Sequence, residues 1–268
     1  NNATPHALFI DLGASASDVW VMNDGYWGIA VTEGQRYNFQ FYLFTEELKN
    51  TVVTAALLDR EEQIVVSKNF QIERDGSWNH YEGTFTVDTT ANDLRFALLL
   101  PHKGKVYIDF VSMFPENTFC GHKNGLREDV AGMLRDLRPD FVRWPGGCIV
   151  EGLTMDNRIK WKETIGDIVK RPGEYNLWGY RSTYGFGYHE FLQFCEDIDA
   201  DGMFVCNAGM SCLFRNGDYW EEENRIDNLI QDALDAIEYA LGDTTTVYGK
   251  RRAENGHAAP FPLKYVEV

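Results

Sequence analysis

Between Asn1 and about Pro115, apolar side chains recur at every second position. Tyr37, Phe39, Phe41 and Leu43 alternate with Asn38, Gln40, Tyr42 and Phe44. The same period returns in Tyr81, Gly83, Phe85 and Val87, in Leu94, Phe96, Leu98 and Leu100, and in Val106, Ile108 and Phe110. Successive side chains of a strand point to opposite faces, so a period of two marks strands with one buried face. Turn-forming clusters bound the runs: Asp75-Gly76-Ser77, Thr90-Ala91-Asn92-Asp93 and Lys103-Gly104. Short strands at this spacing, with no helical stripe between them, predict an antiparallel β jelly-roll sandwich over residues 1–115.

After Pro115 the period changes. Leu126, Val130, Met133, Leu134 and Leu137 recur at helical spacing, and Pro139 stops that helix. Phe141-Val142 then reads as a strand. Tyr188, Phe191, Leu192, Cys195 and Ile198 form a second amphipathic stripe, followed by the strand Met203-Phe204-Val205-Cys206. Ile226, Leu229, Ile230, Ala233, Leu234, Ile237 and Leu241 form a third, followed by the strand Leu263-Lys264-Tyr265-Val266. Helix and strand in alternation are the grammar of a parallel α/β domain. Three strands are too few to close a barrel or to bury both faces of the helices, so residues 116–268 read as an incomplete domain. The predicted whole is multi-domain: a β sandwich over residues 1–115 followed by an incomplete parallel α/β domain, joined by an irregular connector near residues 114–123.

Composition narrows the partners. A formal charge of −16 excludes a phosphate-binding basic face, so neither nucleic acid nor an anionic membrane is expected. No apolar run reaches the length of a membrane span. The 14% aromatic content suits sugars, whose apolar faces pack on rings. Five cysteines (Cys120, Cys148, Cys195, Cys206 and Cys212) show neither a disulfide framework nor zinc spacing, so mostly buried free thiols and no metal are expected. The chain opens at Asn1-Asn2-Ala3 without an initiator Met or signal peptide, as expected of a processed or excised piece.

Candidate chemistry gathers at expected strand ends, where parallel α/β folds place their ligands. Phe141-Val142-Arg143-Trp144-Pro145-Gly146-Gly147-Cys148 ends a strand in a Gly-rich turn, with Arg143 and Cys148 beside it. Asn207 follows the next strand. The connector from Thr154 to Gly187 carries Trp161, Trp178, Tyr180 and Tyr184, which either wall a sugar subsite or pack the loop down. Glu151, Glu163, Glu174 and Glu267 are available carboxylates, but none has a compelling position, and Glu267 lies inside the last strand rather than beyond its end. Glu267 reads as a structural strand residue or ion-pair partner, and His189 as a surface residue opening a helix. In the sandwich, Trp20, Tyr26, Trp27 and Trp78 are candidate platforms, with Trp27 in the turn-like Asp24-Gly25-Tyr26-Trp27-Gly28. No nucleotide-binding or zinc-protease motif is present, and no cofactor is expected.

Arg143-Trp144-Pro145-Gly146-Gly147-Cys148-Ile149-Val150-Glu151-Gly152 resembles the R-[FYW]-P-G-G-[CN]-x-V-x-G signature of glycoside hydrolase family 51, the α-L-arabinofuranosidases. The resemblance continues in order through Arg158–Gly166, Arg171-Pro172-Gly173, Tyr184–Leu192 (with Tyr184 where Asp is usual) and Lys264–Val268. Gly25–Gly28 and Val106–Pro115 are similar to the jelly-roll module of the family's eukaryotic-type branch.

The resemblance implies a (β/α)8 TIM barrel, incomplete in residues 116–268, with the jelly roll inserted after the first barrel strand. It also implies a retaining, cofactor-free hydrolase that releases terminal α-L-arabinofuranosyl groups from arabinan or arabinoxylan. Carried over by position, Arg143 helps hold the active-site architecture and Cys148 stands where other members place a sugar-contacting Asn. Trp178 lines the pocket and Asn207 sits at the next strand end. Both catalytic carboxylates of the family are expected outside this chain, which is therefore expected to be inactive alone, with no catalytic residue of its own. A non-catalytic carbohydrate-binding or scaffolding fragment is the alternative. The family's polymeric substrates imply a secreted or periplasmic enzyme whose full-length form is open to homo-oligomerisation.

Overall fold

A computed structural model describes residues 6–14, 17, 19–48, 51–72, 76–101 and 103–268. Asp75, which opens one expected turn, and the start of the chain at Asn1-Asn2-Ala3 lie outside the described residues. The chain divides into two compact units, one ending at Ala131 and the other running from Gly132 to Val268.

The first unit is built from β1 (Leu8–Ala14), β2 (Val19–Asn23), β3 (Ile29–Val31), β4 (Arg36–Phe44), β5 (Val52–Leu58), β6 (Ile64–Gln71), β7 (Asn79–Thr86), β8 (Ala91–Leu100) and β9 (Lys103–Pro115). One sheet runs β1-β9-β4-β7 and the other β2-β8-β5-β6, with β3 also paired to β8. All these pairings are antiparallel. Their inner faces share one apolar core: Phe39, Phe41 and Leu43 of β4 and Ile108 of β9 meet Val53 and Leu57 of β5 and Phe96 and Leu98 of β8. Phe39 stacks on Phe85 at 4.2 Å between ring centroids and meets Phe70 edge-on at 5.9 Å. Each such ring contributes about 1.5–3 kcal/mol by leaving water.

This is the expected antiparallel β sandwich, with one local correction. Phe110 does not continue the inward alternation of Val106 and Ile108. Tyr42 pairs with Asp109 while Gln40 pairs with Ser112, which leaves an extra residue on β9, and Phe110 sits there at φ 43°. A bulge of this kind re-aims the side chains beyond it.

The second unit contains α1 (Glu128–Asp136, which straddles the division), β10 (Phe141–Trp144), α2 (Gly147–Glu151), a short hairpin of β11 (Glu174–Tyr175) and β12 (Arg181–Ser182), α3 (Tyr188–Asp197), β13 (Asp201–Val205), α4 (Glu223–Leu241), α5 (Val247–Glu254) and β14 (Leu263–Glu267). The three long strands form a parallel sheet in the order β10-β13-β14. Trp144 and Phe204 point to one face and pack with Tyr188, Phe191 and Leu192 of α3 and with Ala236 and Tyr239 of α4. Arg143 pairs in register with Met203, and Met203 with Tyr265, on the other face. That face leaves Phe141 and Tyr265 exposed.

Several local expectations change. Leu126 precedes α1 rather than joining it, and its carbonyl accepts the Phe119 N–H at 2.9 Å. The stripe Val130, Met133, Leu134 and Leu137 is exposed, because only Ala131 of α1 is buried. His189 is buried, with Nδ1 2.8 Å from the Tyr239 hydroxyl, instead of lying on the surface. Only Cys195 and Cys212 of the cysteines are buried, and Cys120 is exposed. Helix α5 had no apolar stripe to announce it, because its inward residue is Arg252, fully buried. Its guanidinium donates to the carbonyls of Tyr239, Ala240, Gly242, His257 and Ala258 at 2.7–3.2 Å. Three of those bonds reach carbonyls at the end of α4 and the other two reach the turn after α5.

Candidate functional site

Three parallel strands bring their C-terminal ends to one edge of the sheet. There Arg143, from β10, and Glu267, from β14, meet across β13. Nε donates to Oε2 at 2.5 Å and Nη2 to Oε1 at 2.6 Å, a bidentate fork. The hydrogen bond to Arg143 holds the Glu267 carboxyl below the usual carboxylate range, and the guanidinium is raised in turn. Glu267 thus fills the expected ion-pair role. A carboxylate tied this way is a poor proton donor.

The chain leaves β10 through a cis Trp144–Pro145 peptide and enters α2 past Gly146, at φ 108°. Helix α2 ends at Gly152, at φ 75°, where a Cβ would lie 2.6 Å from Arg158 N. Glycine is required at that close approach. The loop after β13 latches onto α2. Asn207 Nδ2 donates to the carbonyls of Val150 and Met210, both at 2.9 Å, while its Oδ1 accepts the Gly209 N–H at 2.6 Å. Both amide hydrogens are spent on backbone, so Asn207 positions this loop. The Cys212 N–H donates to the Gly152 carbonyl at 3.1 Å, and Cys148 Sγ lies 3.6 Å from Cys212 Sγ.

A small cleft of about 30 Å³ opens between Trp144, Pro145, Val150, Arg158, Trp161, Cys206, Asn207 and Asp232. It has room for ordered water and not for a sugar ring. Its floor is rigid. Trp161 Nε1 donates to the Asp232 carbonyl at 2.9 Å, and Lys162 bonds Asp232 at 2.6 Å and Asp235 more closely still. Burial opposes the Lys162 charge, but its hydrogen bonds to both carboxylates outweigh that and raise its pKa. Burial likewise opposes the Asp235 charge, yet the bond from Lys162 leaves its carboxyl lowered.

Of the connector aromatics, Trp161 and Tyr184 are buried and pack the loop down, while Trp178 and Tyr180 are exposed. Trp178 stands on the turn between β11 and β12, its N–H bound to Asn176 Oδ1 at 2.9 Å. The Tyr184 hydroxyl donates to Glu174 Oε2 at 2.9 Å. Burial raises the Glu174 carboxyl, only partly countered by that bond. The structure therefore joins Cys148 and Asn207 around α2, ties Arg143 to Glu267, and keeps Trp178 on a separate hairpin.

In the sandwich unit Trp27 and Tyr26 are 89% and 96% exposed, with ring centroids 5.8 Å apart at 60°. Trp20 and Trp78 are half-buried, Trp20 against Ala56, Leu58 and Ala97.

Sequence reasoning missed the trio Cys148, Glu151 and Cys212, whose ligand atoms lie within 4.8 Å of one another. The signal lay in two cysteines each following a strand end by a few residues, on strands that turn out to be neighbours. It also missed Phe214, 96% exposed at the tip of the loop after β13.

Comparison with known proteins gives these features a context. A family model described as "Alpha-L-arabinofuranosidase 1 domain" matches residues 133–268, and one described as "Carbohydrate binding domain" matches residues 14–104. An extracellular exo-α-L-arabinofuranosidase of Streptomyces chartreusis is 36% identical over 272 residues, covering 97% of this chain and 32% of that protein. α-L-Arabinofuranosidase 1 of Arabidopsis thaliana is 36% identical over 258 residues, covering 96% and 37%. The arabinose-bound structure of MgGH51 α-L-arabinofuranosidase superposes with a TM-score of 0.89 at 28% identity, covering 99% of this chain and 44% of that one. The chain thus spans about a third of the length of these sequence relatives.

Proposed function

Because the chain belongs to the α-L-arabinofuranosidases of glycoside hydrolase family 51, we propose that it works as part of a longer retaining hydrolase. That enzyme releases terminal α-L-arabinofuranosyl groups from arabinan or arabinoxylan outside the cell. Residues 116–268 contribute three strands of a (β/α)8 barrel, and residues 1–115 a jelly-roll carbohydrate-binding module. The observation that carries the reading is the Arg143–Glu267 fork at the C-terminal ends of parallel strands, the edge where barrel enzymes build their sites. Exposed edge strands and the greater length of the relatives support continuation of the sheet. The name of the Streptomyces relative supports the extracellular location.

In this reading Arg143 fixes the end of β14 and so orients the chain at the mouth of the barrel. Asn207 and Cys148 shape the adjoining loop wall, and Trp178 offers a ring to the sugar. Hydrolysis with retention needs two carboxyl groups about 5–5.5 Å apart, one of them protonated. Among the described residues Glu267 is committed to Arg143 and faces no second carboxylate at that spacing, and the 268-residue chain alone is expected to be inert. The test is release of arabinose from arabinan and from an aryl α-L-arabinofuranoside. Full-length protein releases it and its Arg143→Ala variant does so far more slowly. Cleavage by the 268-residue chain alone would overturn the division of labour.

A second activity, glycan binding by the sandwich, is favoured by the exposed Tyr26–Trp27 pair. Titration with arabinan and xylan oligosaccharides tests it, and binding that survives Trp27→Ala would remove that face from consideration.

A further inference from the structure

We propose that Cys148 and Cys212 are a dithiol–disulfide pair that, when oxidised, fastens the loop after β13 to α2. The two sulfurs lie 3.6 Å apart although 64 positions separate them in sequence. Their backbones are already held together: Cys212 N–H bonds the Gly152 carbonyl, and Asn207 bonds the Val150 carbonyl. A disulfide of about 2.0 Å therefore asks for a small approach of the two side chains and no rearrangement of the loops. Neither thiol needs the hydrolase reading for this chemistry.

The two thiols differ in access, which sets the order of events. Cys148 is half-exposed, whereas Cys212 is 1% exposed and directs its S–H at Cys148 Sγ. Cys212 is therefore the less accessible of the two and attacks second. The oxidant is a small-molecule disulfide such as oxidised glutathione. Cys148 loses its proton to water and attacks one glutathione sulfur, which breaks the glutathione S–S bond and expels one glutathione thiolate. Cys212 then loses its proton and attacks Cys148 Sγ, expelling the second. Two protein thiols and one glutathione disulfide become one protein disulfide and two glutathione thiols. The Glu151 carboxylate, within 4.8 Å of both sulfurs, completes a set of atoms that would also suit a soft cation. That occupant is the rival the test must separate.

Full-length protein is equilibrated with oxidised and reduced glutathione, unfolded in alkylating agent and mapped by mass spectrometry. The expected result is a peptide pair joined through Cys148 and Cys212, which dithiothreitol converts to two alkylatable thiols. Exposed Cys120 acquires glutathione and shows that the oxidant acted, while buried Cys195 stays a thiol. Cys212→Ser halts the sequence at a Cys148–glutathione mixed disulfide, and Cys148→Ser leaves Cys212 unmodified. Cys212→Ala replaces the serine variant if circular dichroism shows the latter unfolded. Recovery of both thiols free, or glutathionylation of Cys148 in the unsubstituted protein to the extent seen in Cys212→Ser, overturns the proposal. So does one equivalent of tightly held zinc that prevents the cross-link.

Discussion

The two units bury their apolar residues to different degrees. In the sandwich, both sheets turn an apolar face inward, and Phe41, Leu43, Val53 and Leu57 have no solvent exposure. In the α/β unit only one face of the parallel sheet is covered, by α3 and α4. Its other face shows Phe141 and Tyr265, while Met133 of α1 and Leu137 just after it are 62% and 74% exposed. The stripe that predicted α1 was real, but a stripe gains stability only when something packs on it. One unit carries its whole core within itself. The other has apolar surface of the kind further elements cover, and the Arg143–Glu267 fork is on that open side.

The largest effect expected from this contrast is in the sandwich. Phe41→Ala removes a ring set between Phe70 and Tyr81 and should cost about 4 kcal/mol. Leu137→Ala, on the bare stripe, should stay within about 0.5 kcal/mol. Denaturant unfolding followed in each unit measures both, and equal costs would erase the distinction.

Within the α/β unit the firm part is the floor of the cleft. Lys162→Met removes the ammonium that bonds both Asp232 and Asp235 and leaves Asp235 with the Gln231 amide as a partner. Breaking a fully buried pair costs about 3–5 kcal/mol, and partial exposure here brings the expectation to about 2 kcal/mol. A change below about 0.5 kcal/mol would mean that the cluster does not hold α4.

A smaller effect comes from acid. Glu267 and Asp235 both have folded-state pKa values below their unfolded ones. Their stabilising contribution is therefore complete above the unfolded values, near pH 4, and lost as pH falls through the lower folded ones. The acid transition of the α/β unit should lie below pH 4 and shift upward in Arg143→Met. An unmoved transition would show that the fork adds nothing to stability. The smallest expected change in stability is that of Trp27→Ala, within about 0.5 kcal/mol because its ring is 89% exposed. The same variant should lose glycan binding, so calorimetry and titration together separate display from packing.

The legibility of the sequence obeyed the same physics. Strands β4, β7 and β8 were readable because one buried face imposes a period of two. The stripes of α3 and α4 were readable for the equivalent reason. Phe110 escaped because a bulge breaks the alternation without any marker in residue type. Helix α5 escaped because its inward anchor is an arginine that binds carbonyls, which no hydrophobic pattern reports. Arg143 and Asn207 were singled out from their places at strand ends, but the residues they bond were not. The fork with Glu267 spans 124 positions and the thiol pair 64, and both depend on strand neighbours that spacing alone does not specify.

Amide hydrogen exchange on the 268-residue chain tests the central contrast most directly. The account predicts slow, cooperative exchange through β4, β5 and β8, with faster exchange in α1, β10 and β14 where apolar faces stand open. Equal protection in both sets of elements would contradict it and would make the α/β unit as self-sufficient as the sandwich.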